Sequence, residues 1–357
     1  MNIATWRESA AELDARDMRG HIARLPEQIS EAVTRSAPFA DSVRAGKASA
    51  IAVLGMGGSA MGADLAAAYT ADRRALPWVT LRDYTLPAWL DRRAVAIASS
   101  YSGNTEETLA AYEEAKRRGL TTIAVTTGGR LGELARANGD PLLELPTGFP
   151  PRAALGHSFT AVALVAARLD PGLDAVREGE AIARLPEALA PLARDWLAWD
   201  EGNPALEIAA GVAERLAVMY AGHPIGVAAA RRWKTQLNEN GKIPAYWSEF
   251  PEHNHNEIVG FEGESPVAAR LALIYLETPW ENPRVVQRMD FVHSACRDVV
   301  GWQRRVRDEA LAPTPLESMF RLCYLGDCAS FFTSIVTGRD PTPVASIDRL
   351  KSVLSKA

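Results

Sequence analysis

Three hydroxyls crowd one short stretch of the chain: Ser100, Ser102 and Thr105, in Ser99-Ser100-Tyr101-Ser102-Gly103-Asn104-Thr105-Glu106-Glu107-Thr108. Aimed into one concavity, with Gly103 and Asn104 offering backbone amides, they could hold a phosphate. Thr105 followed by two acids also reads as an ordinary helix cap. A second stretch, Gly55-Met56-Gly57-Gly58-Ser59-Ala60-Met61-Gly62, follows an apolar run and opens a helix. Glycines there admit an oxyanion close to the backbone, and a helix N-terminus supplies free N–H groups and positive potential. Gly55-x-Gly57-x-x-Ala60 fits the dinucleotide fingerprint as well, with Asp83 near the place of a ribose-binding acid. The hydroxyl-rich loop decides between these readings. Three hydroxyls around one glycine, facing a second glycine-rich loop through Gly57, Gly58 and Ser59, exceed what a cap or a tight turn needs. Neither loop carries Lys or Arg, and neither has a Gly-Lys-Ser/Thr run, so no nucleoside triphosphate with Mg²⁺ is implied. Neutral hydroxyls and amides suit a single terminal monoester on a small molecule.

Two further groups could move protons. Glu239, in Asn238-Glu239-Asn240-Gly241, closes a helical segment before a glycine. It reads equally as a general base at an element terminus or as a solvated glutamate near a helix end. His253 and His255 stand in Glu252-His253-Asn254-His255-Asn256-Glu257. On a strand, a His-x-His pair could hold a metal through one face. No third ligand stands at a recognisable spacing, so no metal is assigned. Lys351, in Asp348-Arg349-Leu350-Lys351, is by type and spacing an ordinary lysine on a terminal helix.

The elements that must position these residues alternate. Ala50–Leu54 is a short continuous apolar run, the pattern of a strand buried on both faces of a parallel sheet. Similar runs follow at Val79–Leu81, Val95–Ala98, Thr122–Val125 and Leu142–Leu145, with helical segments at Ala60–Tyr69, Glu106–Arg118 and Leu131–Asn138. After a helical stretch rich in Ala, Leu, Arg and Glu, alternation resumes. Leu216–Tyr220 and Leu271–Tyr275 read as strands, and Val227–Leu237, Val286–Val300 and Leu316–Val336 as helices. The pattern predicts an α/β protein of two tandem units, each a parallel sheet between helices. The segments read as residues 1–45 (an N-terminal helical segment), 46–170 (the first unit), 171–202 (a helical linker) and 203–357 (the second unit with C-terminal helices).

Composition agrees and excludes other classes. The 357 residues suffice for about two domains at roughly 150 residues each. A net charge of −5 leaves no basic excess for a nucleic-acid backbone, so any anionic substrate must be caught locally. Three cysteines form no disulfide framework and point to a reducing compartment. The first residues carry no apolar signal segment, and no apolar run is long enough to span a bilayer. The expectation is a cytoplasmic protein acting on a small molecule, without nucleic-acid or membrane partners.

The loop Ser100-Tyr101-Ser102-Gly103-Asn104-Thr105-Glu106-Glu107 resembles the signature loop of the sugar isomerase (SIS) domain. With it go Gly55–Gly62, Pro151-Arg152-Ala153-Ala154-Leu155-Gly156, Asn238-Glu239-Asn240, Glu252–Glu257 and a C-terminal lysine. As a set they resemble the bifunctional phosphoglucose/phosphomannose isomerases over nearly the whole chain. The resemblance implies two SIS units and an aldose–ketose isomerase working through a cis-enediol on glucose 6-phosphate, mannose 6-phosphate and fructose 6-phosphate. It implies that Glu239 is the catalytic base, that His255 and Lys351 serve ring opening, and that Arg152 stabilises the enediolate. It implies no cofactor, and a homodimer in which His255 reaches the neighbouring subunit's site. The alternatives are a non-catalytic SIS-type regulator that binds sugar phosphate and, from the fingerprint, a nicotinamide-dependent dehydrogenase. Hexose phosphate turnover is accordingly expected to survive dialysis against EDTA. Activity recovered only on adding Zn²⁺ would restore His253 and His255 as metal ligands.

Overall fold

A computed structural model describes residues 2–44, 46–263, 265–308 and 313–354. Met1, Ala45 and Ala357, which end segments read from the sequence, lie outside the described residues. The chain forms two compact units. One comprises Arg24–Pro191 and Ala310–Phe320; the other comprises Met1–Ala23, Leu192–Glu309 and Arg321–Ala357.

The Arg24–Pro191 unit is built on a five-stranded, all-parallel sheet: β1 (Ile51–Leu54), β2 (Trp78–Leu81), β3 (Val95–Ser100), β4 (Thr121–Thr126) and β5 (Leu142–Glu144), in the order β2-β1-β3-β4-β5. Every residue of β1 and β3 is buried, as strands covered on both faces must be. Alanines alternate through the two central strands and let helices lie close against them; Ala52, Leu54, Ala96 and Ala98 share one core with Tyr112 and Leu131. The strand order reverses at β1. The chain leaves β1 for β2 on one side and returns to β3 on the other, so the loops after β1 and β3 diverge at the carboxyl edge. In open α/β sheets that divergence is where ligands bind. Both loops singled out by their chemistry fall there, because Leu54 and Ala98 are register partners.

The Leu192–Glu309 unit repeats the plan with four parallel strands: β6 (Leu216–Ala221), β7 (Ala245–Glu249), β8 (Leu271–Glu277) and β9 (Trp302–Arg307), in the order β7-β6-β8-β9. The helix Pro224–Glu239 follows β6. It starts on proline at its first position, with the His223 ring accepting the Ile225 N–H at 3.4 Å. Its outer face packs on the helix Pro315–Val336 through unusual partners for a buried surface. The Arg232 guanidinium meets the Asp327 carboxylate in two hydrogen bonds of 2.9 and 2.7 Å, and the Trp233 Nε1–H donates to the Leu322 carbonyl at 2.7 Å. Gly326 makes room for the indole, since a Cβ there would lie 2.4 Å from its Nε1. Burial raises the Asp327 carboxyl against the lowering influence of Arg232.

Two strands, β7 and β9, are absent from the pattern read in the sequence, and both are sheet edges. An edge strand need not be apolar, and charged side chains protect it from pairing with another chain. In β9, Arg305 and Arg307 reach Glu277, and Arg304 reaches Glu207. The helix expected over Val286–Val300 spans Pro283–Ala295 instead, stopping short of β9. The segment 171–202 holds one helix, Ala175–Trp196. Among the described residues no helix is long and apolar enough to cross a membrane. Asp327→Ala should strand the buried Arg232 charge and lower unfolding free energy by about 3–5 kcal/mol. Urea titration checks this, and a loss below about 1 kcal/mol would show the pair to be dispensable.

Candidate active site

The loop after β3 is shaped by its own backbone amides. Ser100 Oγ accepts the Gly103 N–H at 3.1 Å, and Ser102 Oγ accepts the Asn104 N–H at 3.2 Å. From the loop after β1, Ser59 Oγ accepts the Tyr101 N–H at 3.0 Å. Each serine oxygen thus accepts one loop amide, and a hydroxyl that accepts can still donate its own proton. Thr105 precedes the helix Glu106–Arg117 but makes no side-chain cap; its Oγ1 pairs with Ser100 Oγ at 2.9 Å. The capping alternative is therefore not what the hydroxyl does. Ser59 and Ser100 are buried, Thr105 is half-buried and Ser102 is exposed.

Glycines let three loops close on this cradle. Gly103 has φ +69°, and a Cβ there would stand 1.9 Å from the Gly128 carbonyl oxygen in the loop after β4. Gly57, at φ +50°, starts the helix Gly57–Tyr69, whose preceding residue Met56 provides no side-chain cap. The first amides of that helix have no intrahelical acceptor and suit an anion. A Cβ at Gly58 would lie 2.7 Å from the Pro151 carbonyl oxygen and 3.1 Å from the Arg152 Cα. The Pro151–Ala153 turn is thereby brought against the helix start. Gln28, fully buried, holds that turn from behind: its Nε2 donates to the Ala153 carbonyl at 2.8 Å, and its Oε1 accepts the Gly156 N–H at 3.2 Å. Tyr101 completes the enclosure, its hydroxyl donating to the Pro146 carbonyl at 2.8 Å and accepting the Phe149 N–H at 3.2 Å. Gly57, Gly58, Ser59, Ser100, Ser102, Thr105 and Arg152 are thus gathered within one unit. Neither Gln28 nor Tyr101 was singled out in the sequence, where a lone glutamine on an amphipathic helix carries no signal.

Glu239, His255 and Lys351 belong to the other unit, on three different elements. Glu239 is the last residue of the helix Pro224–Glu239 and is half-buried. The turn beyond it is tightly held. Gly241 N–H donates to the Gln236 carbonyl at 3.2 Å, Ile243 N–H to that of Leu237 at 3.2 Å, and Asn238 Nδ2 to that of Ile243 at 3.0 Å. Asn240 Nδ2 donates to Ser330 Oγ at 3.1 Å. The acid's two asparagine neighbours therefore fix its backbone.

The two histidines do not share a strand face. They lie in a 3₁₀ turn, Glu252–His255, with His253 fully buried and His255 exposed. His253 sits among Tyr220, Phe250 and Phe261, with ring centroids 4.7, 4.9 and 6.2 Å away. Burial lowers its pKa against the raising influence of the Glu257 charge, and its ring packs beneath the turn. The Glu257 carboxylate anchors the following residues by accepting from the Tyr220 hydroxyl at 3.2 Å and from Ser248 Oγ. Among the described residues no three His, Cys, Asp or Glu side chains form a metal-ligating group. Lys351 stands on the helix Ala345–Leu354, none of whose residues is buried.

Residues 201–354 match the family described as the bacterial phospho-glucose isomerase C-terminal SIS domain. A bifunctional phosphoglucose/phosphomannose isomerase of Caldicellulosiruptor bescii is 36% identical over 336 residues, covering 93% of this chain and 97% of its own. One of Aquifex aeolicus is 33% identical over 307 residues, covering 86% of this chain and 90% of its own. Among solved structures, a hypothetical protein of Thermus thermophilus matches with a TM-score of 0.74 over 99% of this chain and 93% of that one. At 15% identity that likeness speaks to the fold alone. If the serine protons serve an anion, Ser100→Ala should weaken binding of a sugar phosphate by about tenfold to a hundredfold. Binding of an inert unphosphorylated sugar should not change. Titration calorimetry reads both, and unaltered affinity for the phosphorylated ligand would remove the hydroxyls as its contacts.

Proposed function

The chain belongs to the bifunctional phosphoglucose/phosphomannose isomerase family, and from that premise we propose how its own residues carry out the reaction. The protein interconverts glucose 6-phosphate and mannose 6-phosphate with fructose 6-phosphate. The hydroxyls of Ser59, Ser100, Ser102 and Thr105 and the amides of Gly57 and Gly58 hold the terminal phosphate. Neutral donors suffice there because the monoester needs orientation rather than charge neutralisation, and the helix N-terminus supplies positive potential. The observation that carries this reading is the gathering of these hydroxyls on two adjoining loops, where Ser59 Oγ accepts the Tyr101 N–H and Ser100 Oγ pairs with Thr105 Oγ1.

Chemistry then follows in two stages. His255 and Lys351 move a proton between the ring oxygen and the C1 hydroxyl, which opens the pyranose. The Glu239 carboxylate takes the proton from C2 and returns it to C1, while the O2 hydroxyl proton passes to O1 through a cis-enediol. The Arg152 guanidinium offsets the negative charge that develops on the two oxygens. Glucose and mannose 6-phosphates differ only at C2. Rotation about C2–C3 of the planar intermediate presents either face to one base, which accounts for two sugars in one site. No cofactor takes part.

The active form in this reading is a homodimer in which a second copy of the chain contributes His255 to each site. Exposure of His255 on a braced turn supports this. The three free, buried cysteines fit a reducing cytoplasm, where the reaction serves glycolysis or gluconeogenesis. Glu239→Gln should lower turnover by about a hundredfold to ten-thousandfold with both aldoses while leaving binding largely intact. Initial rates in a coupled assay check it. Loss with one sugar only would refute a shared base, and full activity with both would move the base elsewhere.

A further inference from the structure

Lys242 stands three residues beyond Glu239 in the left-handed backbone region, at φ +57°, which a residue with a side chain seldom adopts. That conformation turns the side chain back across the helix end. Its ammonium donates to three carbonyl oxygens: that of Glu239, that of Pro341 at 3.1 Å, and that of Pro343. A reciprocal bond runs the other way, from the Arg339 guanidinium to the Lys242 carbonyl at 2.9 Å. The Glu239 carbonyl is one of the last in its helix and has no intrahelical donor, so a cation there is favourable. The other two carbonyls flank Thr342, whose N–H is held by Asp340 Oδ1 at 2.8 Å. This strap runs directly into the helix Ala345–Leu354, which carries Lys351. No residue of that helix is buried, and Ile347, Leu350, Val353 and Leu354 are exposed on it. Its start is therefore set by the strap rather than by its own packing.

We propose that Lys242 is a positioning residue: through its three carbonyls it sets the register between the base Glu239 and the 341–343 strap that leads to Lys351. The proposal rests on Glu239 being the base. An ammonium offers three tetrahedral donors without an acceptor, which matches a bowl of three carbonyls; a flat guanidinium fork matches it less well. A misplacement of about 1 Å at a reacting group can cost about a hundredfold in rate with little change in binding. The phosphate contacts lie on other residues, so the effect belongs in turnover and not in KM.

The test compares Lys242→Met, Lys242→Arg and Glu239→Gln in the full-length protein, reading kcat, KM for glucose 6-phosphate and melting temperature. Lys242→Met should lower kcat by about tenfold to a hundredfold with KM within about twofold, and Lys242→Arg should restore part of the loss. Hydrogen exchange of residues 339–350 should be faster in Lys242→Met than in wild type. Wild-type kcat in Lys242→Met, with Glu239→Gln inactive, would overturn the positioning role and leave the base in place. Wild-type kcat in Glu239→Gln would overturn the base and the positioning role together. If Lys242→Met does not fold, Lys242→Arg decides. A folded Lys242→Arg with kcat reduced at least about threefold at constant KM supports the role, and one with wild-type kcat rejects it.

Discussion

Backbone approaches backbone at Gly58 and Gly103 more closely than any side chain allows, and the proposed phosphate cradle depends on it. A methyl group at Gly103 would stand 1.9 Å from the Gly128 oxygen, and one at Gly58 would stand 2.7 Å from that of Pro151. With both positions bare, the loops after β1, β3 and β4 and the Pro151–Ala153 turn converge at one carboxyl edge. The hydroxyl network then follows from simple saturation. Each buried amide in the tight loop needs an acceptor. Ser59 Oγ provides it for Tyr101, and Ser100 provides it for Gly103 through both its carbonyl and its hydroxyl oxygen, so both hydroxyls are fixed within the loops. A structural requirement of the turn thus prepares a binding surface, and no cation is spent on it.

The unit that carries Glu239 meets a different constraint. A carboxylate at a helix end is useful only if that end is stationary, yet helix ends fray. Here the helix is pinned twice. Midway, the Arg232–Asp327 pair and the Trp233 hydrogen bond join it to the helix Pro315–Val336. At its end, the Asn238, Asn240 and Lys242 side chains take up the local carbonyl and hydroxyl groups. Burying an ion pair adds little to stability against an apolar alternative, but it is exacting about geometry. That exactness suits a helix whose last residue is the proposed base.

What could be read in the sequence divides along physical lines. Central strands β1, β3, β4, β6 and β8 announce themselves as short apolar runs because both their faces are covered, and the edge strands β2 and β5 still show as the runs Val79–Leu81 and Leu142–Leu145. The edges β7 and β9 do not. Tyr246 is exposed and half of β9 is arginine, so neither shows the pattern of a buried strand. The candidate anion loops are visible because glycine and serine at a strand–helix junction have a local meaning. Glu239, His255 and Lys351 draw their proposed roles from family resemblance, since a glutamate before Asn-Gly or a lysine on a last helix has no local signature. Lys242 is invisible for a related reason. Its meaning lies in a positive φ and in carbonyls about a hundred residues away in sequence, which no spacing rule reaches.

In the proposed reaction the Glu239 carboxylate carries the C2 proton through an enediol. Prolonged incubation of fructose 6-phosphate with the enzyme in D₂O, followed by proton NMR, tests this most directly. A proton held on a carboxylate exchanges with solvent, so deuterium should appear at C2 of both glucose 6-phosphate and mannose 6-phosphate and at C1 of the ketose. Aldoses that form at the normal rate yet carry only protium at C2 would mean direct hydride transfer between the carbons, and would rule out a proton carried by Glu239.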